Sequence, residues 1–317
     1  NFPFAELRLL ASKRSAGKKI AFMGKTYTVE EATFDSFKGI DIALFAGGSI
    51  SKDFAPHAVK AGAVVIDNSS AFRMDPEVPL VVPEVNPQAI LKHKGIIANP
   101  NCSTIIMVMA LKPIYDLAKI KRVIVSTYQA VSGAGKEGID ELDAQVREHS
   151  EGREMTANIL PSASAEKHYP IAFNLIPQID VFCDNLYTKE EMKMVNETKK
   201  IMEDYEMRIT ATTIRVPVYR SHSESVNIEL EKEVDLGAMR EALAKFPGVT
   251  VQDDPSKQEY PMPLYTSEKD DVYVGRLRRD ESCEKSYNMW VVGDQIRKGA
   301  ALNTLQIAET MIKNGWI

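Results

Sequence analysis

The sequence predicts an α/β chain in two parts, a parallel sheet interleaved with helix followed by a mixed α+β region. Three observations predict it. Apolar runs at 40–45 and 63–68 read as buried strands separated by a helix-length segment, the alternation of a parallel sheet. Later runs at 209–218 and 223–230 are extended, and in the second Val226, Ile228 and Leu230 alternate with polar residues. The length of 317 residues gives material for about two domains.

Composition narrows the function classes. Hydrophobic residues at 44% and charged residues at 26% match a water-soluble globular chain. A net charge of -5 excludes overall attraction to nucleic acid or an acidic membrane, so any anionic ligand needs a local basic pocket. Cys102, Cys183 and Cys283 are too few and scattered for a disulfide framework, and they point to a reducing, cytoplasmic setting. His57, His93, His149, His168 and His222 have no metal-ligand spacing, and no apolar stretch reaches membrane-span length.

Taken in order, residues 7–11 form a strand entering a basic turn with Arg14 and Ser15. After the second strand of a dinucleotide-binding fold, an Arg can hold a ribose 2′-phosphate, which makes Arg14 a candidate for NADP selection; alone it would be a solvated turn. A hairpin follows at 19–29 with Gly24 at the bend. The 40–45 strand ends in Gly47-Gly48-Ser49, and ligands of such sheets gather at strand carboxyl ends. No G-x-G-x-x-G-like turn precedes Leu7, so the expectation is a chain that starts late or a site without its pyrophosphate cradle.

In Asn99-Pro100-Asn101-Cys102-Ser103-Thr104, Pro100 bars helix before it, while Ser103 and Thr104 suit a first turn. Cys102 therefore belongs at a helix N-terminus, where unpaired N–H groups and the helix dipole favour the thiolate. The ordinary alternative is a small buried hydrophobe. An apolar strand at 122–128 leads into small residues at 132–135 that permit close backbone approach. Ile139, Leu142 and Val146 are spaced for a helix face, and 150–165 reads as a surface excursion. Residues 190–205 read as a helix on which Glu190 and Lys193 share a face, ordinarily a weak surface pair. Arg215 and His222 flank a bend at Pro217 and can project into one cavity. A helix at 235–246, a strand at 289–292, a turn at 293–299 and a last helix at 302–313 with Leu305, Ala308 and Ile312 inward complete the chain.

Four segments together resemble the bacterial-type aspartate-semialdehyde dehydrogenase family: Asn99 to Thr104, Tyr128-Gln129-Ala130-Val131-Ser132-Gly133-Ala134-Gly135, Arg215-Val216-Pro217-Val218 with His222-Ser223-Glu224-Ser225-Val226, and Val292-Gly293-Asp294-Gln295. The resemblance runs over the whole chain. It implies a Rossmann-type domain at 1–102, completed by 302–317, and a catalytic and dimerisation domain at 103–301. It implies Cys102 as the nucleophile that carries an acyl-thioester, His222 as general acid/base and Gln129 as the residue orienting substrate. Arg215 would bind a carboxylate, Arg73 with Asn101 and Lys193 a phosphate, and Glu190 an amino group. Arg14, Ser15, Ser132, Gly133, Gln295 and Asn303 would contact NADP. The implied reaction is reversible, NADP-linked reductive dephosphorylation of 4-aspartyl phosphate to aspartate semialdehyde, serving lysine, threonine and methionine synthesis in a cytoplasmic homodimer. The family's Gly-rich turn would lie before Asn1. Two alternatives accompany this reading: an N-acetyl-glutamyl-phosphate reductase, against which the Gln129 segment and the Arg215–His222 spacing speak, and a catalytically silent truncated subunit.

Overall fold

The computed structural model describes residues 2–163 and 165–317 and divides the chain into two compact units. Asn1–Val81, Gln88–Asn99 and Thr304–Ile317 form the first; Val82–Pro87 and Pro100–Asn303 form the second.

In the first unit, β1 (Leu9–Ala11), β2 (Lys19–Phe22) and β3 (Lys25–Glu31) make one small sheet. β2 and β3 are the expected hairpin, with Met23 and Gly24 at φ 48° and 75°, the left-handed pair a two-residue turn between twisted strands requires. β3 also runs parallel to β1, so the Arg14–Ser15 turn joins two members of one sheet. A second sheet is wholly parallel: β4 (Ile42–Phe45), β5 (Val64–Asp67) and β6 (Ile96–Ala98), with α1 (Ser51–Lys60) crossing from β4 to β5. α1 presses the small residues Ala55 and Ala58 onto Ala43 and Val65. The opposite face packs Ile66 and Ile97 against Ile307, Ala308 and Met311. Gly47-Gly48-Ser49 follows the carboxyl end of β4 and leads into α1.

The second unit begins with α2 (Cys102–Leu117), in which every residue from Ser103 to Leu111 is buried, the mark of a central helix. Then come β7 (Ile120–Gln129), α3 (Lys136–Ser150), α4 (Lys189–Ile201), β8 (Arg208–Arg215) and β9 (His222–Leu230). α5 (Leu236–Lys245), β10 (Val249–Val251), α6 (Pro263–Thr266), β11 (Val272–Arg279) and β12 (Ser286–Gly293) follow, and α7 (Leu302–Lys313) returns the chain to the first unit. The strands form one six-stranded sheet in the order β10-β11-β12-β9-β7-β8. β7 and β8 are parallel and end in register at Gln129 and Arg215; antiparallel β9 starts at His222, opposite Gly293 at the end of β12. Strand direction alone thus gathers Gln129, Arg215, His222 and Gly293 on one rim.

Several local expectations are corrected. On α3 the buried positions are Gly138, Glu141, Leu142 and Gln145, while Val146 is exposed. The reason is polar: Glu141 accepts from the backbone of Asn158, Ile159 and Leu160, and Gln145 accepts from Ile171 and Ala172. These bonds tie residues 158–160 and 171–172 to α3, with Leu160 fully buried beside Val131, Leu142 and Ile171. α4 ends at Ile201 rather than Tyr205. The buried stripe of α7 is Asn303, Thr304, Ile307, Ala308 and Met311, leaving Leu305 partly buried and Ile312 exposed, because Asn303 and Thr304 turn inward to hydrogen bond. β10 and β11 have no counterpart in the sequence reading.

Candidate active site

Pro100 and the extended Asn101 (φ -61°, ψ 144°) stop the chain just before α2, and the Asn101 side chain caps the helix by accepting from Ser103 N at 3.1 Å and Thr104 N at 3.2 Å. Cys102 is the first helical residue, half-buried, with its thiol at the positive end of the dipole. A side chain at residue 299 would bring its Cβ to 3.0 Å from Cys102 Cβ, so only Gly299 leaves Cys102 undisturbed.

Beside this turn, α4 offers a buried carboxylate. Its own start is a complete capping box, Thr188 with Glu191, and Glu190 in its first turn is buried. Glu190 Oε1 accepts from Asn101 Nδ2 at 2.9 Å and Gln129 Nε2 at 3.2 Å, and Oε2 from Lys193 Nζ at 3.1 Å. Burial alone would push Glu190 up, but the Lys193 charge and the bonds from Asn101, Lys193 and Gln129 together hold it below the usual carboxylate range. Burial likewise disfavours the Lys193 cation, and Glu190 with Asp180 outweighs it, leaving the ammonium raised.

The β9 end of the rim differs. His222 is fully buried, and its Nδ1 accepts from Ala130 N at 3.0 Å. An accepting Nδ1 carries no hydrogen, so the neutral ring holds its proton on Nε2, an atom that is buried and has no protein partner. Burial, and after it the Arg215 charge, holds the imidazole well below its ordinary range. Arg215 Nη1 donates to Ala130 O at 2.8 Å, so one residue, Ala130, fixes both side chains through its two backbone groups. Arg215 Nε is buried without a partner, and burial lowers the guanidinium against the raising charges of Glu190 and Cys102. Gly133 completes the arrangement: a Cβ there would lie 2.7 Å from Arg215 Nη1 and 3.3 Å from the His222 ring.

The structure therefore brings together Asn101, Cys102, Gln129, Glu190, Lys193, Arg215, His222 and Gly133 within the second unit. Gln295 lies there too, holding both of its ends inside the protein: Oε1 accepts from Ser221 N at 2.8 Å and Nε2 donates to Ser132 Oγ. Asn303 Oδ1 accepts from Lys298 Nζ at 3.0 Å, and Lys298 is paired with Glu84 at 2.6 Å. Arg73, Arg14 and Ser15 belong to the first unit. Arg73 is buried and donates from Nε to Asn99 O and from its guanidinium to Asn68 O, both at 2.9 Å, whereas Arg14 is exposed in its turn. No group of His, Cys, Asp or Glu among the described residues is arranged to hold a metal ion, and no helix among them is long and apolar enough to cross a membrane.

Two further acids escaped the sequence reading. Glu197, seven residues beyond Glu190, accepts from Asn101 N at 2.6 Å; the shared stripe with Glu190, Met194 and Ile201 was the signal. Glu224 has the inward parity of His222, Val226, Ile228 and Leu230 on β9. It is fully buried, neither oxygen has a partner, and burial pushes it well above the carboxylate range.

Comparison with known proteins joins these features. The semialdehyde dehydrogenase NAD-binding domain matches residues 1–93, and the semialdehyde dehydrogenase dimerisation domain matches residues 111–298. An aspartate-semialdehyde dehydrogenase of Aquifex aeolicus is 57% identical over all of this chain and 93% of its own length. The chain belongs to the aspartate-semialdehyde dehydrogenase family. Membership makes it an NAD(P)-linked oxidoreductase of amino-acid biosynthesis, with the Rossmann-type domain and α+β domain expected. The Bacillus subtilis member is 54% identical over 99% of this chain and 91% of its own. The crystal structure of aspartate semialdehyde dehydrogenase II from Vibrio cholerae superposes with a TM-score of 0.94 at 47% identity, covering 99% of this chain and 92% of that one. A second structure of that protein, complexed with ASA, gives a TM-score of 0.93. These relatives do not favour the N-acetyl-glutamyl-phosphate reductase alternative.

Proposed function

We propose that the chain interconverts aspartate semialdehyde with inorganic phosphate and 4-aspartyl phosphate, using NADP and passing through a Cys102 acyl-thioester. The observation that carries the reading is Cys102 on the first turn of α2 in one unit with a His222 whose Nε2 is buried, protonated and unpartnered. The family supports the substrate, since the Vibrio cholerae relative is named for it and has been solved with ASA.

In the oxidative direction the Cys102 thiolate adds to the aldehyde carbon. The developing alkoxide takes a hydrogen bond from His222 Nε2–H, a donor already desolvated. With Nδ1 occupied by Ala130 N–H, His222 serves as a proton donor at Nε2, and the thiolate is favoured by the helix N-terminus instead. Loss of hydride from the carbon leaves the thioester, which phosphate then attacks with Cys102 as leaving group. Arg215 takes the substrate carboxylate and Glu190 the ammonium, with Gln129 between them through its bond to Glu190. Lys193 and Asn101, with Arg73 of the first unit, are the phosphate ligands in this reading.

The residues present fit a dinucleotide. Gly47-Gly48-Ser49 turns from a parallel strand into a helix, and the space a Gly48 side chain would occupy holds no atom within 4 Å. Gly133, Ser132, Gln295 and Asn303 are the remaining candidate contacts, with Arg14 and Ser15 selecting the 2′-phosphate. When bound, NADP accepts or returns the hydride. A homodimer is the assembly we propose, with residues 1–102 and the last helix binding cofactor and residues 103–301 supplying catalysis and the dimer face; the dimerisation-domain match supports it.

The experiment is phosphate-dependent NADP reduction with aspartate semialdehyde, run beside NAD and beside N-acetylated glutamyl semialdehyde. Turnover with the first pair is expected. A folded chain that turns over neither substrate is a silent subunit, and preference for the glutamyl substrate overturns the assignment.

A further inference from the structure

The N-cap of α2 has a backbone donor that its own helix cannot satisfy. Asn101 caps Ser103 and Thr104 with its side chain, but its own N–H also needs an acceptor. In a capping box the third helical residue reaches back to supply one. α4 is built that way, with Glu191 Oε2 accepting from Thr188 N at 2.7 Å. In α2 the third residue is Thr104, whose short hydroxyl faces Asn101 Oδ1 at 3.5 Å. The missing acceptor arrives from another helix: Glu197 Oε2, buried, at 2.6 Å from Asn101 N.

We propose that Glu197 is a positioning residue for the nucleophile, completing the α2 cap from α4 and holding the Pro100–Asn101 peptide, one residue before Cys102, while Glu190 exchanges partners with substrate. This rests on the reading of Cys102 as nucleophile and Glu190 as the ammonium ligand. Glu190 and Glu197 stand two turns apart on one face of α4 and hold the two N–H groups of Asn101, the side-chain amide and the backbone. The first attachment is exchangeable, because Glu190 Oε1 is already shared between Asn101 and Gln129 and a substrate ammonium would compete for it. The second lies deeper and keeps the turn fixed. A carboxylate bonded next to the helix start opposes a thiolate there by like-charge repulsion, the effect that a neutral amide at 197 would remove. Charged groups tied to this turn include Glu190 on the Asn101 amide, Lys193 on Glu190, Arg215, which feels the Cys102 charge, and Lys298 beside Gly299, the residue packed on Cys102.

The test uses the full chain, wild type, Glu197→Gln and Glu197→Ala. Alkylation of the Cys102 peptide by iodoacetamide is followed against pH without substrate, and kcat and KM are measured in the phosphate-dependent assay. Glu197→Ala is expected to lose about tenfold or more in kcat, the scale of a lost bond to a charged group, with KM changed less than about twofold. Glu197→Gln keeps an acceptor, so most of kcat returns while the alkylation profile moves to lower pH. Wild-type kcat in Glu197→Ala, or an unmoved profile in Glu197→Gln, overturns the proposal. If Glu197→Ala does not fold, the Glu197→Gln profile decides alone. If the substrate is misassigned, no variant turns over and the alkylation shift still appears, so the two failures are distinguishable.

Discussion

The inward face of α4 and the inward face of β9 both bury acids, yet they treat them in opposite ways. On α4 every carboxylate described is met: Glu190 by three donors, Glu191 by its own cap and by Thr213 N, Glu197 by Asn101. On β9 the Glu224 oxygens and His222 Nε2 are buried with no partner. Orphaned buried polar atoms cost stability and are rare in folded proteins. A helix stripe dense with partners suits groups that must remain charged to bind ions. A strand row left unpartnered keeps its groups neutral, the state that the role proposed for His222 requires of a ring presenting one proton to an oxygen that becomes charged only during reaction.

The largest expected break of this contrast is in kcat. His222→Ala should lower it by about 10²- to 10⁴-fold with little change in KM, the effect that the proposed donation from Nε2 to the developing oxyanion implies. His222→Gln, whose amide still donates, should retain more activity than alanine. Glu190→Ala should act the other way, raising KM for the semialdehyde more than it lowers kcat. Steady-state kinetics on the three variants decides, and equal KM effects from both faces would erase the distinction.

Stability against pH sharpens the comparison at the next scale. His222 is depressed in the folded state, so the unfolded chain binds a proton first and stability is lost as pH falls below the ordinary histidine range. Glu224 is raised, so its contribution is present at low pH and is lost as pH rises through the folded value. Each unit of such a shift is worth about 1.4 kcal/mol. Urea denaturation of Glu224→Gln should therefore show a variant that gains on wild type as pH increases, while His222→Gln gains as pH decreases. A constant difference across pH for Glu224→Gln would mean that the carboxyl is not held neutral.

How much of this was legible in the sequence follows the range of the forces involved. The turn before Cys102, the hairpin at Gly24 and the α5 start at Asp235 are set by neighbours in the chain, and Pro, Asn, Gly and Asp announce them. Candidate site residues could be proposed through family resemblance, but their pairings could not, because Glu197 and Asn101 are 96 positions apart and Ala130 and His222 92. On α3 and α7 apolar spacing points to the wrong positions for a single reason: buried polar residues, Glu141, Gln145, Asn303 and Thr304, decide which side turns inward. β11 shows the same limit in a strand, since the arginines at 276, 278 and 279 mask an inward row of Val272, Val274 and Leu277.

The smallest expected effect is the control for the whole contrast. Thr188 caps α4 by accepting from Glu191 N at 3.2 Å, and it lies at the helix start rather than against Cys102 or His222. Thr188→Ala should cost about 1 kcal/mol of stability, the usual value of an N-cap hydroxyl. The remaining turns of α4 are held by Met194 and Ile201 in the core and by Glu190 and Glu197 at their partners, so kcat and KM should stay near wild type. If removing this cap instead lowered kcat as much as a change at Glu197, the inward acids would be acting only by keeping α4 helical, and the division between a paired binding face and an unpaired proton-handling face would collapse into ordinary helix stability.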